Sequence, residues 1–139
     1  MKLKVKLDPG AQMPTRAHDT DAGLDLYAMY KRVIPAQGSM CFDTGVHVEI
    51  PAGYVGMIKS KSGLNVAFNL TSEGVIDCGY TGSIMVKLYN HGNRCVEIER
   101  GQKISQLVLL PIITPELEEV DDLEATERGN GGFGSTGAF

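Results

Sequence analysis

The stretch "GVIDCGYTGSIMVKLYNHGNRCVEIE", Gly74–Glu99, decides the fold class. Within it, "IMVKLY" (Ile84–Tyr89) and "CVEIE" (Cys95–Glu99) put apolar residues on one face at every second position, the period of a strand. "GYTG" at Gly79 and "NHGN" at Asn90 interrupt them with the residue types that tight turns require. "GVIDCGYTG" (Gly74–Gly82) therefore reads as strand, tight turn, strand, with Asp77 where the apolar run ends.

The same rhythm extends outward in both directions. "VHVEI" (Val46–Ile50) and "KLKVKL" (Lys2–Leu7) alternate in the same way. "ISQLVLLPII" (Ile104–Ile113) is more continuously apolar, as expected of a strand covered on both faces. Turn signals recur at "DPG" (Asp8), "PAQG" (Pro35), "PAG" (Pro51) and "RG" (Arg100). Short strands punctuated about every 8–12 residues predict an all-β sandwich or barrel. "SGLNVAFN" is the exception and predicts about two helical turns, with Ser62 as the N-cap.

Composition bounds the rest. A chain of 139 residues, 42% hydrophobic and 22% charged, fits one soluble domain. A net charge of −4 argues against a general nucleic-acid or membrane binder. Three cysteines, with no CxxC or Cys/His cluster, give no disulfide framework or zinc site. "MKLKVKLDPG" has no apolar leader core and no run approaches a membrane span, so a cytoplasmic protein is expected.

After Pro115 the alternation stops. Seven of the 17 carboxylates fall in "ELEEVDDLEATE" (Glu116–Glu127), a solvated connector by the usual behaviour of charge blocks. The division expected is a core over 1–115, this connector over 116–127 and a glycine-rich arm over 128–139. The arm, "RGNGGFGSTGAF", buries too little apolar surface to offset its ordering entropy and should be mobile until something holds it. "GNGGFG" matches G-x-G-x-x-G, but it lacks the strand before and helix after that a dinucleotide loop needs. Its chemistry still suits a nucleotide. Glycine backbone N–H groups approach anions closely, Ser135 and Thr136 add hydroxyls, Arg128 adds a planar fork, and Phe133 adds a flat face.

Other residues stand out and each has a plainer alternative. Lys61 and Ser62 precede the helix, where free N–H groups make an anion site; they could equally be a cap and a solvated lysine. Asp77 could be a turn former and Tyr80 a cross-strand packer. Gln106, an amide within an apolar strand, needs partners from protein or ligand.

Five segments in order, "DAGLDLYA", "KSGL", "GVIDCGYTG", "GQKISQL" and "RGNGGFGSTG", resemble the motifs of the trimeric deoxyuridine triphosphatases (dUTPases), spanning Asp21 to Gly137. The resemblance implies a β jelly roll, homotrimeric, with one short helix and a C-terminal arm that closes a neighbour's site. It implies Mg²⁺-dependent hydrolysis of dUTP to dUMP and pyrophosphate. Asp77 would be the base that activates water against the α-phosphorus. Gly74, Tyr80 and Phe133 would bind the base and sugar. Lys61, Ser62, Gly63 and Gln106, with Arg128, Ser135 and Thr136 of the arm, would hold the phosphates, and Asp25 would support them, holding the arm arginine. No residue is implied as a metal ligand, since Mg²⁺ would be carried by phosphates and water.

The sequence departs from that pattern in places. Lys61 stands where the second motif usually has arginine, keeping charge but losing the bidentate fork. "DCGY" carries Cys78-Gly79 where a second acid is common, and Thr81 takes the place of the usual basic or polar residue after the tyrosine. A dCTP deaminase shares this fold and would use a glutamate near the base, a role open to Glu73. A non-catalytic nucleotide-sensing trimer is the other reading, motivated by Lys61.

Overall fold

The strands are short because turns interrupt the chain before any of them exceeds nine residues. In the computed structural model, which describes residues 1–139, they are β1 (Lys4–Leu7), β2 (Gly23–Tyr27), β3 (Arg32–Ile34) and β4 (Ser39–Asp43). There follow β5 (Val46–Glu49), β6 (Tyr54–Ser60), the helix α1 (Ser62–Phe68), β7 (Leu70–Thr71) and β8 (Glu73–Ile76). The last are β9 (Met85–Asn90), β10 (Val96–Ile98) and β11 (Lys103–Pro111). The expected all-β architecture with one short helix is what forms.

Every pairing is antiparallel. One sheet has the order β2-β11-β6-β8, a second β4-β9-β7, and two ribbons pair β1 with β5 and β10 with β3. The layers enclose one core of 17 buried apolar residues, among them Leu26, Ile58, Leu88, Ile98 and Leu107. Full burial of such a side chain contributes about 1.5–3 kcal/mol. β9 shows the period most clearly: Val86, Leu88 and Asn90 are buried, while Met85, Lys87 and Tyr89 point out.

Two expectations need correction. Ser62 is the first helical residue, not the N-cap. Lys61 is the cap, with extended backbone at φ −78° and no side-chain bond to the helix. The helix starts after a single residue beyond β6, which ends at Ser60, so the first turn opens at Ser62 without a hydroxyl cap. β11 is also covered less evenly than its composition predicts. The strand ends at Pro111, short of the expected Ile113; Leu107 is buried, but Leu110 within it and Ile112 and Ile113 beyond it lie open on the chain by itself.

Candidate active site

β2, β11, β6 and β8 carry one polar row across their sheet. Direct pairing puts Asp25, Gln106, Lys59 and Glu73 side by side. Alternation then sends all four to the same face. Glu73 is engaged by Lys59, whose ammonium donates to both carboxylate oxygens at 2.9 and 3.0 Å. Asp25 is only 5% exposed. Its two oxygens take Lys61 Nζ at 2.5 Å and Lys103 Nζ at 2.8 Å. Burial pushes the Asp25 carboxyl up, but the hydrogen bonds and charges of Lys103 and Lys61 outweigh it and hold it below its ordinary value. Lys103 is raised in return.

Gln106 lies flat across β2. Its Nε2 donates to Ser60 O at 3.0 Å, and a Cβ on Gly23 would fall 2.1 Å from its Oε1. The glycine of "DAGLD" is therefore the space the amide occupies. Ser60, Ser72 and Ser105 tie the same corner from inside. Ser72 Oγ meets Ser105 Oγ at 2.7 Å, and Ser105 Oγ donates to Lys59 O at 2.8 Å. The end of β6 that presents Lys61, Ser62 and Gly63 is thereby fixed from below, and a Cβ on Gly63 would meet only open space.

The hairpin after β8 forms the second cluster. Tyr80 N–H donates to Asp77 O at 3.1 Å, closing the turn, and Gly79 supplies the positive φ of +90° it needs. Asp77 is exposed, and its carboxylate has no partner within the chain. The Tyr80 ring folds over Gly82, where a Cβ would come within 2.5 Å of the phenol oxygen, and its hydroxyl donates to Ser83 O at 3.0 Å. Gly74 sits in β8 opposite Ile58.

The arm forms the third. Arg128, Ser135 and Thr136 line one concavity with Thr126 and Glu127. Arg128 Nε donates to Gly131 O at 2.7 Å, and Phe133 has a positive φ of 47° with its ring wholly exposed. The last backbone bond to the body is Ile112 N–H to Gly53 O at 2.8 Å. Beyond it the hydrogen bonds of the segment are all internal.

The structure thus joins Lys61 to Asp25, sets Gln106 beside them, and gathers the three polar arm residues. Asp25 holds lysines in this chain, and the arm arginine is elsewhere. It does not bring Asp77 to Lys61. Asp77 follows Ile76, which pairs with Gly56, so it lies level with Val55. Lys61 is six residues further along the same strand line, about 20 Å at ~3.3 Å per residue. Lys103, His47 and Asp43 were not singled out from sequence. Lys103 reaches Asp25 only through the β11–β2 register, and the other two meet the hairpin across more than 30 residues of chain.

The family model described as dUTPase matches residues 10–137. A deoxyuridine 5'-triphosphate nucleotidohydrolase of Gloeothece citriformis is 45% identical over 99% of this chain and 97% of its own. One from Yarrowia lipolytica is also 45% identical, over 99% of this chain and 90% of its own. The Staphylococcus bacteriophage 80alpha dUTPase, solved with dUpNHpp, superposes with a TM-score of 0.92 at 36% identity, covering 98% of each chain. A mutant dUTPase from phage phi11 of S. aureus, solved for the coordination of a structural Mg(II) ion, gives 0.83 at 32% identity, covering 90% of this chain and all of that one. Matched by that family model over residues 10–137 and 45% identical to two of its members over nearly its whole length, this chain belongs to the dUTPase family.

Proposed function

We propose that the chain hydrolyses dUTP to dUMP and pyrophosphate, at sites each assembled from more than one copy of itself. The observation that carries the composite site is the separation of about 20 Å between Asp77 and Lys61 along β6. A triphosphate held at Lys61 in one copy cannot present its α-phosphorus to Asp77 of that same copy. A second copy can supply the hairpin, and the arm, which makes no hydrogen bond to its own body, is free to reach another. The outer face of the four-stranded sheet favours such packing. Direct pairing lines up Val75, Met57 and Val108 there, between the polar row and the Asp77 end, and Val75 is 58% exposed. The homotrimer implied by the family motifs satisfies all three demands.

In this reading the Asp77 carboxylate accepts a proton from water and aims its oxygen at the α-phosphorus. Pyrophosphate leaves, its charge met by Lys61, the Gln106 amide and the Arg128, Ser135 and Thr136 donors of the arm. Gly74, lacking a side chain, lets the uracil edge approach the β8 backbone. Tyr80 lies against the deoxyribose, and Phe133 covers the base when the arm closes. Asp25 keeps Lys61 extended and in place.

Mg²⁺ neutralises triphosphate charge when bound. No three His, Cys, Asp or Glu side chains converge in this chain, and the one buried aspartate already holds two ammonium groups. Its residues do not fit a protein-ligated divalent cation, so the metal is assigned to the phosphates and water. The deaminase alternative is not favoured: the relatives matched over nearly the whole chain are named as dUTP nucleotidohydrolases, and Glu73 sits in an exposed ion pair with Lys59. The cytoplasm is the compartment this reading assigns, and three exposed free cysteines fit its reducing poise. No helix is long and apolar enough to cross a membrane.

Mixing tests the composite site. Asp77→Asn and Lys61→Ala proteins, each nearly inactive, are dissociated and reassembled together. Pyrophosphate release from dUTP well above either parent is the expected result. Activity no higher than the parents would place both residues in one chain's site.

A further inference from the structure

The return limb of the Tyr80 hairpin is held from outside by the segment that joins β4 to β5. Thr44 Oγ1 donates to Ile84 O at 2.7 Å, and Ile84 N–H donates to Val46 O at 2.8 Å. Ser83 Oγ donates to Asp43 Oδ1, whose carboxyl that bond and the Gly45 N–H hold below its ordinary value. These three contacts involve groups that keep their hydrogen-bonding character at neutral pH. The fourth does not. His47 Nδ1 lies 2.7 Å from Thr81 O, and His47 Nε2 lies 3.1 Å from Asp8 Oδ2.

One protonation state satisfies both contacts at once. A carbonyl oxygen only accepts, so Nδ1 must carry hydrogen. An ionised carboxylate only accepts, so Nε2 must carry hydrogen too. Both contacts coexist only on the imidazolium. A neutral ring gives up one of the two contacts: with hydrogen on Nε2 the Thr81 bond is lost outright, and with hydrogen on Nδ1 the ring keeps Thr81 but is released from Asp8, so Thr81 is no longer braced against it. The ring is mostly covered, with 19% of the side chain exposed. The charged groups around it are Asp8, beyond the end of β1; Lys6, directly opposite on β1; Asp43, on β4; and Lys4 and Glu49, which pair with each other at 3.1 Å. Thr81 O and Asp8 favour the charged ring, and Lys6 and burial oppose it; the acceptors prevail, so the imidazole is raised above its ordinary value.

We propose that His47 is a positioning residue for this reaction: as an imidazolium it ties the Thr81 carbonyl of the substrate hairpin to Asp8, and the hairpin's hold on the nucleotide loosens when the ring loses that proton. The role rests on the reading that this hairpin carries the base and sugar. Thr81 follows Tyr80 directly, so slack at Thr81 is slack in the ring that faces the deoxyribose. Asp77 sits on the other limb and is fixed through β8. The effect therefore falls on substrate binding more than on turnover.

The test uses full-length protein and dUTP, with kcat and KM measured from about pH 6 to about pH 9 and the His47 ring followed separately by NMR. In the unsubstituted protein, KM should rise about threefold to tenfold through the His47 titration, the range of one lost hydrogen bond, with kcat little changed. His47→Gln can still donate to Thr81 O but has no proton to lose, so its KM should lack that inflection. Asp8→Asn should move the inflection to lower pH. Retention of the full inflection in His47→Gln, or an NMR titration at a pH unrelated to the KM change, would overturn the role. Tyr80→Ala separates the two layers. If it raises KM while His47→Gln keeps the inflection, the hairpin reading stands and the His47 role fails. If it leaves KM unchanged, the hairpin reading fails and takes the His47 role with it.

Discussion

Asp25 and Asp77 occupy opposite ends of one four-stranded sheet and have opposite surroundings. Asp25 is buried, and each of its oxygens is taken by an ammonium group. Asp77 is exposed, contributes its backbone carbonyl to a turn, and leaves its carboxylate unpartnered. A carboxylate clamped by two lysines holds a place: each oxygen is engaged by an ammonium, and the paired charge makes it a poor base. A carboxylate with open lone pairs can take a proton from water. In the proposed reaction the first builds the site and the second acts in it, and that contrast can be broken from either side.

The largest effect should come from Asp77→Asn. The change keeps shape and removes the basic oxygen, so kcat for pyrophosphate release should fall about 10²–10⁴-fold, the usual contribution of a positioned base. Thermal stability should stay within about 0.5 kcal/mol, as at other exposed positions. Near-normal kcat would reduce Asp77 to the turn former that its local sequence also allows.

Removing residues 128–139 comes next. The arm makes no hydrogen bond to its own body, so unfolding of the truncated protein should match the intact one. kcat/KM for dUTP should fall about 10²–10³-fold, the scale of losing donors aimed at developing charge. Unchanged kinetics would leave the arm a solvated end.

Asp25→Asn should act on stability more than on chemistry. It strands Lys61 and Lys103, but both lysines are partly exposed, at 28% and 45% of their side chains, so the loss should be about 1–3 kcal/mol, less than for a fully buried pair. The sign with pH follows from the lowered carboxyl. Its contribution is complete above the unfolded carboxylate range, about pH 4, and is lost as pH falls through the folded value. Denaturant melts of the two proteins should differ at neutral pH and converge in acid. A gap that widens in acid would show that Asp25 is not held ionised by its lysines.

These contrasts were unequally legible in the sequence. β9 announces itself because Val86 and Leu88 alternate with Lys87 and Tyr89, and one buried face leaves that imprint directly. β6 is harder to see, since "YVGMIKS" is paired on both edges and holds Gly56 where Leu107 packs close. The two-residue β7 is too short for any period. The chemistry of each candidate site residue could be read one by one, and the roles proposed for them are those the family motifs imply. What could not be read was who pairs with whom. Asp25 meets Lys61 across 36 residues of chain, and His47 meets Thr81 across 34, through register alone. The separation of Asp77 from Lys61 has the same origin. It is a count along β6, invisible until the β6–β8 pairing is known.

Lys61→Arg should have the smallest effect and sharpens the comparison at the Asp25 end. Lys61 reaches Asp25 Oδ1 with a single ammonium, while Lys103 holds Oδ2. A guanidinium is planar and can face one acceptor on one edge while offering N–H groups on another. Arginine could therefore keep the Asp25 contact and still present donors to a phosphate, whereas the lysine divides three donors between the two. The extended backbone of Lys61 at φ −78° suits either side chain, and 28% exposure leaves room for the longer one. KM for dUTP should fall or hold, within about threefold, a few tenths of a kcal/mol, and kcat should persist. If turnover collapses while the protein stays folded, Lys61 is tuned to this site by length and not by charge. The short clamp on Asp25, rather than a fork toward substrate, would then be what the position requires.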